Sequence, residues 1–476
     1  MTETAGCTIC DLFLYDLHLH EAKDGKNRMP VRFGTVKDRE AAVLQLFLLV
    51  ALVLGVLQLY VLPFLPLAIW WILLASPFVV LRRRPVTLPW LSIPILALVA
   101  VQLASVAWSP DALQGLRSAG TAACFFVVFY AGVRLFRSDE RAILKIMNIA
   151  GILVAAHAVL IAVFFLNPRI ESQYLKSQLA PYLSGQGVTR IYGDMFNNVI
   201  LDGKAGGLFV NGNTASMFMG VCAAIFFATG IKFKSRWSFC VAVLAYVGAF
   251  MTGSKTALFI GLAWIGACGL VYALSRKSPL VLPGIVAAIL VVQAGLAYLL
   301  EKSPELLADS SHTFGSRQRM WGVAFRGLSE SPVLGLGYGG WFEQYRRFGS
   351  EIGFSVRPAH NLLLQAWLDS GILGALTTLV FFGTVLFGCL RVMQGSDSMP
   401  ALIACSVLAA CGWVFIHGQG DNTFFYGDTH SLVYLALGLA FVSNMLSPKD
   451  AAITPGLKLT SRKVHPPRSR AESRGT

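Results

Sequence analysis

Charge is what this chain has least of. Only 13% of its 476 residues are charged, while 55% are hydrophobic, and a soluble domain carries about 25% charged residues. That shortage excludes an ordinary water-soluble globule. The alternation over about ten-residue segments that marks a membrane barrel is missing. So is a cleavable signal peptide: residues 1–40 are polar, with no short apolar core ahead of a small-residue cleavage site. No Walker-type loop occurs, which argues against ATP as a substrate. Cys7 and Cys10, followed by His18 and His20, lack a recognised metal-finger spacing, and a solvated tail is the simpler reading. Most other cysteines sit in apolar runs, where they act as small apolar residues.

What is present is a series of long apolar runs. About 20 such residues cross a bilayer as a helix, and candidate spans fall near 41–60, 62–81, 88–108, 118–136, 145–166, 206–230, 237–253, 256–275, 279–300, 359–388, 400–417 and 429–446. The expected fold is an all-α polytopic membrane protein with about twelve transmembrane helices. The membrane domain is expected over 41–446. It follows an N-terminal segment, 1–40, and precedes a basic tail, 447–476, whose composition predicts disorder.

The basic residues orient it. Arg82, Arg83 and Arg84, then Arg134, Arg137 and Arg141, then Lys232, Lys234 and Arg236, then Arg391 fall on one side of a twelve-span arrangement. By the positive-inside rule that side, with both termini, is cytoplasmic. The net charge of +14 then reflects topology and anionic membrane lipid and calls for no nucleic acid. The opposite face receives two long loops, 167–205 and a large helical one at 301–358, which carry Arg190, Lys204, Arg317, Arg319 and Arg357 among other cations. Two readings stand: an ordinary solvated surface, or a face that binds a strongly anionic group such as pyrophosphate.

In "RPAHNLLLQAWLDSG" (357–371), Pro358 suits the first turn of a helix. The span is therefore expected to start there, with His360 at its positive end, where the dipole favours a neutral imidazole. Such a group serves as a general base beside a phosphorylated substrate, or simply as an interfacial histidine bonded to water.

Four stretches resemble the O-antigen ligase and Wzy-type polysaccharide polymerase superfamily. They are "GGLFVNGNTASMF" (206–218), "MTGSKTALFIGL" (251–262), "GSRQRMWGVAFRGLSESPVLGLGYGGW" (315–341) and "PAHNLLLQAWLDSGILG" (358–374). The last two together carry most of the likeness, which spans roughly 80–445. The resemblance implies a GT-C-like glycosyltransferase of the bacterial inner membrane with its site on the periplasmic face. It implies a donor glycan on undecaprenyl pyrophosphate, a glycan or lipid A–core acceptor, and neither metal nor cofactor. It makes His360 the catalytic base and Arg317 the pyrophosphate contact, with Arg319 adjacent. Where many relatives have arginine in the tight turn this chain has Lys255, and it has Lys204 ahead of Gly207. Which of Lys255, Lys204 and Arg190 completes the clamp stays open.

Transfer by one displacement, with His360 taking the hydroxyl proton, inverts the anomeric centre. No acidic pair suited to a two-carboxylate mechanism stands in the right place. Asp421 and Asn361 are candidates for orienting His360 or the acceptor. Asp369 lies about 13 Å along the helix from His360 and is expected to bond between helices instead. His157 reads as a packed core residue. The alternatives are a polymerase, which uses a second lipid-linked chain as acceptor, and a secondary transporter of an anionic solute. A transporter would carry an internal repeat and matched mid-membrane ionisable residues; neither is seen in the sequence.

Overall fold

The computed structural model describes residues 36–57, 88–184, 188, 203–209, 211–274, 304–352, 358–395, 398–427 and 429–446. All regular elements among them are helices: α1 (Val36–Leu57), α2 (Ser92–Ser105), α3 (Ala112–Ser138), α4 (Glu140–Leu166), α5 (Pro168–Lys176), α6 (Ala180–Ser184), α7 (Gly212–Phe233), α8 (Arg236–Met251), α9 (Lys255–Leu274), α10 (Pro304–Glu330), α11 (Gly340–Ile352), α12 (Leu362–Gly395), α13 (Ser398–His417) and α14 (Leu432–Leu446). Apart from the first residues of α1, they belong to the compact unit Ala41–Thr476. The spans expected at 62–81 and 279–300, Arg190, Arg357, the cysteines of the N-terminal segment and the basic tail lie outside the described residues.

Polar residues start the helices. Asp111 accepts from Gln114 N, Asp139 from Arg141 N and Ala142 N, Asn211 from Asn213 N, and Ser235 from Ser238 N. Each such cap satisfies backbone donors that have no partner inside the helix, and is worth about 1 kcal/mol.

Among the described residues five helices, α3, α4, α7, α12 and α13, are long and apolar enough to cross a membrane, and shorter apolar helices accompany them. Together they mark a membrane protein. Helix α7 is the centre: most of its residues are buried, with α4, α8, α9, α13 and α14 packed on it. Lipid is as apolar as a leucine side chain, so association between spans rests on close fit. Small residues supply it. A Cβ at Gly220 would enter the Trp413 ring, one at Gly438 would meet Ile225, and one at Gly132 would press on Ala440 and Leu437.

In its described part the 301–358 connection holds two helices, α10 and α11, joined by a glycine-rich loop, and has its own small core. Met320, Val323, Ala324 and Leu328 of α10 bury against Trp341 and Tyr345 of α11 and against Ala359, Leu364 and Leu368. Trp341 and Tyr345 share one face of α11, their rings edge-to-face at 5.6 Å. This layer sits over the beginning of α12.

Helix α12 is broken at Gly371, whose φ of 72° and ψ of −176° are not helical. The glycine-rich loop after α10 fills the break with backbone. Leu368 O accepts from both Leu336 N and Gly337 N, and Ile372 N donates to Val333 O. The indoles of Trp367 and Trp108 donate to Pro332 O and Leu334 O. A Cβ at Gly335 would strike the carbonyls of Trp367 and Leu368, and one at Gly371 would strike Val333 O. The glycines thus allow two main chains to touch, with the freed peptide groups of the broken helix re-bonded, as a chain in an apolar setting requires.

Candidate functional site

The site is assembled where the N-termini of α7 and α12, the C-terminus of α13 and one face of α10 meet. Leu362 N donates to Gly418 O at 2.6 Å, tying the start of α12 to the end of α13. The helix begins at Leu362 and its cap is Asn361, which accepts from Leu364 N at 3.0 Å. The expected start at Pro358 is therefore corrected. A carboxamide side chain satisfies an end donor, and proline, which has no such acceptor on its side chain, stays outside the helix.

His360 stands just ahead of the cap at φ 50°, a left-handed conformation that costs a residue with a side chain and clusters at functional sites. Its neighbour Ala359 is fully buried. Ala359 O accepts from Trp321 Nε1 at 2.8 Å, and Ala359 N donates to Gln365 Oε1 at 3.1 Å. The backbone that aims the imidazole is held from both sides.

Asp421 faces His360 from the loop between α13 and α14, with Oδ1 3.0 Å from Nδ1. A carboxylate only accepts, so Nδ1 carries a proton, and in the neutral imidazole the lone pair is on Nε2. The imidazole retains 22% of its side-chain exposure. Asp421 also accepts from Asn422 N at 2.8 Å and from Asn213 Nδ2 at 3.5 Å. Burial pushes its carboxyl up in pKa. The bond from His360, the nearby charges of His360 and His417, and the Asn422 amide outweigh that and hold it below the usual carboxylate range.

Arg317 approaches from α10. Its Nη1 lies 3.6 Å from where a Cβ on Gly420 would be. Burial lowers the guanidinium pKa and the neighbouring Asp421 charge opposes that; a guanidinium in a protein stays protonated throughout. The spacing to Trp321 explains the placement. Residues four apart share a helix face, so the indole that grips Ala359 also turns Arg317 toward Gly420 and Asp421. Arg319, about 200° further round at 100° per residue, is exposed.

The two lysines meet at a different border of the site. Lys204 Nζ donates to Gly253 O at 2.8 Å, and Ala205 N donates to Thr252 O. Lys255 is the first residue of α9, directly after that turn. Gly253 adopts φ 69°, and a Cβ there would strike Gly203 O; a Cβ at Gly212 would come within 2.9 Å of Thr252 O. The tight turn therefore abuts the N-terminus of α7, one residue from Asn213.

The structure thus brings His360, Asp421, Arg317 and Asn361 together, Asn361 reaching Gln419 Oε1 at 3.4 Å. It gathers Lys204 and Lys255 at the turn beside α7 and leaves Arg319 exposed. Asn213, His417, Gln365 and Asn422 were not singled out from the sequence. The asparagine-rich "NGN" opening of α7 was a signal for Asn213; no pattern pointed to the others. His157 is buried and accepts from Leu208 N at 3.1 Å, the packed role expected. Asp369 accepts from Gln365 Nε2 at 2.9 and 3.0 Å, within its own helix.

No curated protein matches the chain. Residues 240–379, running from α8 through the tight turn, α10 and His360 into α12, match the family described as O-Antigen ligase.

Proposed function

We propose that this chain is a periplasmic-face glycosyltransferase of the bacterial inner membrane that moves a glycan from undecaprenyl pyrophosphate to the hydroxyl of a lipid A–core sugar. The observation that carries this reading is the His360–Asp421 pair, 3.0 Å apart, with Arg317 beside it. An imidazole oriented through Nδ1 by a carboxylate has Nε2 available as a base, and a partly buried guanidinium next to it suits an oxyanion.

Nε2 of His360 takes the proton of the acceptor hydroxyl as that oxygen attacks the anomeric carbon. A new carbon–oxygen bond forms on one face while the bond to the pyrophosphate oxygen breaks on the other, so the configuration inverts. The electron pair leaves with undecaprenyl pyrophosphate, and Arg317 offsets its charge. Lys204 and Lys255 add positive charge at the turn beside α7, whose N-terminus itself favours anions. Asp421 holds the imidazole and offsets the charge of the imidazolium that forms. A ligase and a polymerase share these steps and differ in the acceptor.

The test uses the full chain in lipid with an undecaprenyl-pyrophosphate-linked glycan, following release of the lipid pyrophosphate. Release that requires the lipid A–core acceptor and disappears in His360→Ala is the expected result. Chain growth from donor alone makes the protein a polymerase. Undiminished release in His360→Ala removes the base assignment.

A further inference from the structure

We infer that Gln365 is a positioning residue that locks the segment bearing His360 to the loop bearing Asp421. The inference rests on the proposed function for its catalytic meaning, while the clamp itself stands on geometry.

His360 and Asp421 belong to different loops and meet through their side chains. Their relative placement needs a brace, because a displacement of about 1 Å can cost 10²-fold in rate. Gln365, on the first turn of α12, uses both ends of its side chain for this. Oε1 accepts from Ala359 N at 3.1 Å and from Asn422 Nδ2 at 2.9 Å. Ala359 directly precedes His360, and Asn422 directly follows Asp421, to whose Oδ1 it donates its backbone N–H. One oxygen atom therefore joins the two loops next to the two residues that must meet.

The other end is held within α12. Nε2 lies 2.9 and 3.0 Å from the two oxygens of Asp369. The backbone N–H of Ala359 can only donate, so the atom that faces it is Oε1 and the NH2 group is the one turned toward Asp369. Gln365, Asp369 and Asn422 are all buried, and water does not compete well for these bonds. This gives a job to an acid in the middle of an apolar helix: it holds an amide four residues back.

The experiment compares wild type, Gln365→Met and Asn422→Leu, both close to isosteric, and the double variant, as full chains in lipid. In each, kcat and KM for the lipid-linked donor are measured, and so is hydrogen–deuterium exchange of peptides covering 358–362 and 418–423. Expected are a fall of about 10- to 100-fold in kcat for each single variant, little change in KM, and faster exchange in those peptides alone. The double variant is expected to be no slower than the worse single one, since both break one clamp. Where Gln365→Met does not yield folded protein, Asn422→Leu carries the same comparison from the loop side. A wild-type kcat with unchanged exchange, or multiplicative losses in the double variant, would overturn the clamp. Loss of the function reading is distinct: it appears as undiminished turnover in His360→Ala, and the exchange data still judge the clamp.

Discussion

Asp421 Oδ1 lies 3.0 Å from His360 Nδ1, although 61 positions of sequence separate the two residues. Both side chains are mostly buried, 22% and 18% exposed, so the pair is only weakly screened by solvent. Asp421→Asn keeps the shape but removes the charge that holds the Nδ1 proton. Initial rates of lipid pyrophosphate release should fall about 10²-fold, against 10²–10⁴-fold for His360→Ala. The Asp421 carboxyl is held below its ordinary range. What the pair contributes is therefore fully present above the ordinary carboxylate pKa and is lost as pH falls through the lower folded value. Activity should persist on acidification to pH 5 as far as Asp421 governs it, and a loss there that vanishes in Asp421→Asn would contradict the assignment.

Arg317 should not be replaceable by lysine. The guanidinium beside Asp421 offers planar, two-pronged donation, which an ammonium lacks. Arg317→Lys is expected to lose about tenfold in kcat/KM for the donor and Arg317→Ala about 10²–10³-fold. Arg319→Ala, on the exposed side of α10, should change it by less than about threefold. Equal effects of the two alanine variants would show that α10 presents the other face to substrate.

The contact between the glycine loop and the break in α12 should be intolerant of a single methyl group. Gly335→Ala puts a Cβ against the carbonyls of Trp367 and Leu368 at a φ of 71°. It should lower stability by roughly 2–4 kcal/mol in thermal unfolding of the detergent-solubilised protein. Gly383→Ala, also in α12, meets nothing within 4 Å and should be neutral or stabilising by up to about 1 kcal/mol. A benign Gly335→Ala would mean that the two backbones do not touch.

Glu171 carries a pH dependence of its own. Burial raises its carboxyl to about 7, although Gly206 and Gly207 donate backbone N–H groups to it. A carboxyl whose folded pKa is raised favours the folded state while protonated, so its contribution declines as pH rises from the unfolded value toward about 7. Glu171→Gln still accepts from Gly206 N but cannot ionise. It should be more stable than wild type at pH 8, by roughly 1–2 kcal/mol after partial screening, and not at pH 4. The same advantage at both values would reject ionisation as the cause.

Part of the candidate site was legible, because His360 sits just ahead of a helix end, where an imidazole has a chemical reason to be. His360 stood out as an imidazole before an apolar run, while Arg317 came only from the resemblance to the family's arginine–tryptophan pattern. The exact start of α12 was not, because proline and asparagine both mark helix starts, and only the bond from Leu364 N to Asn361 decides between them. The glycines at 335–340 gave a composition without a purpose. Gly335 allows a close backbone approach to a segment 30 residues later, and Gly337 and Gly339 lie against Ser109 and Asp111 far earlier in the chain; nothing local records either. Asp369 looked like an interhelical bond and turned out to serve its own helix through Gln365.

By itself the sequence determined the class: too few charges to be water-soluble, apolar runs of bilayer length, and capping residues at their ends, all properties of period and composition within one segment. Tertiary structure alone decided that Asp421 stands 3.0 Å from His360, that α10 turns Arg317 and not Arg319 toward the pair, and that one glutamine oxygen joins the two loops. These depend on which helix ends meet. That is fixed by small-residue packing between spans and by backbone bonds across the break in α12, interactions whose partners lie tens to hundreds of residues apart and leave no periodic trace in the chain.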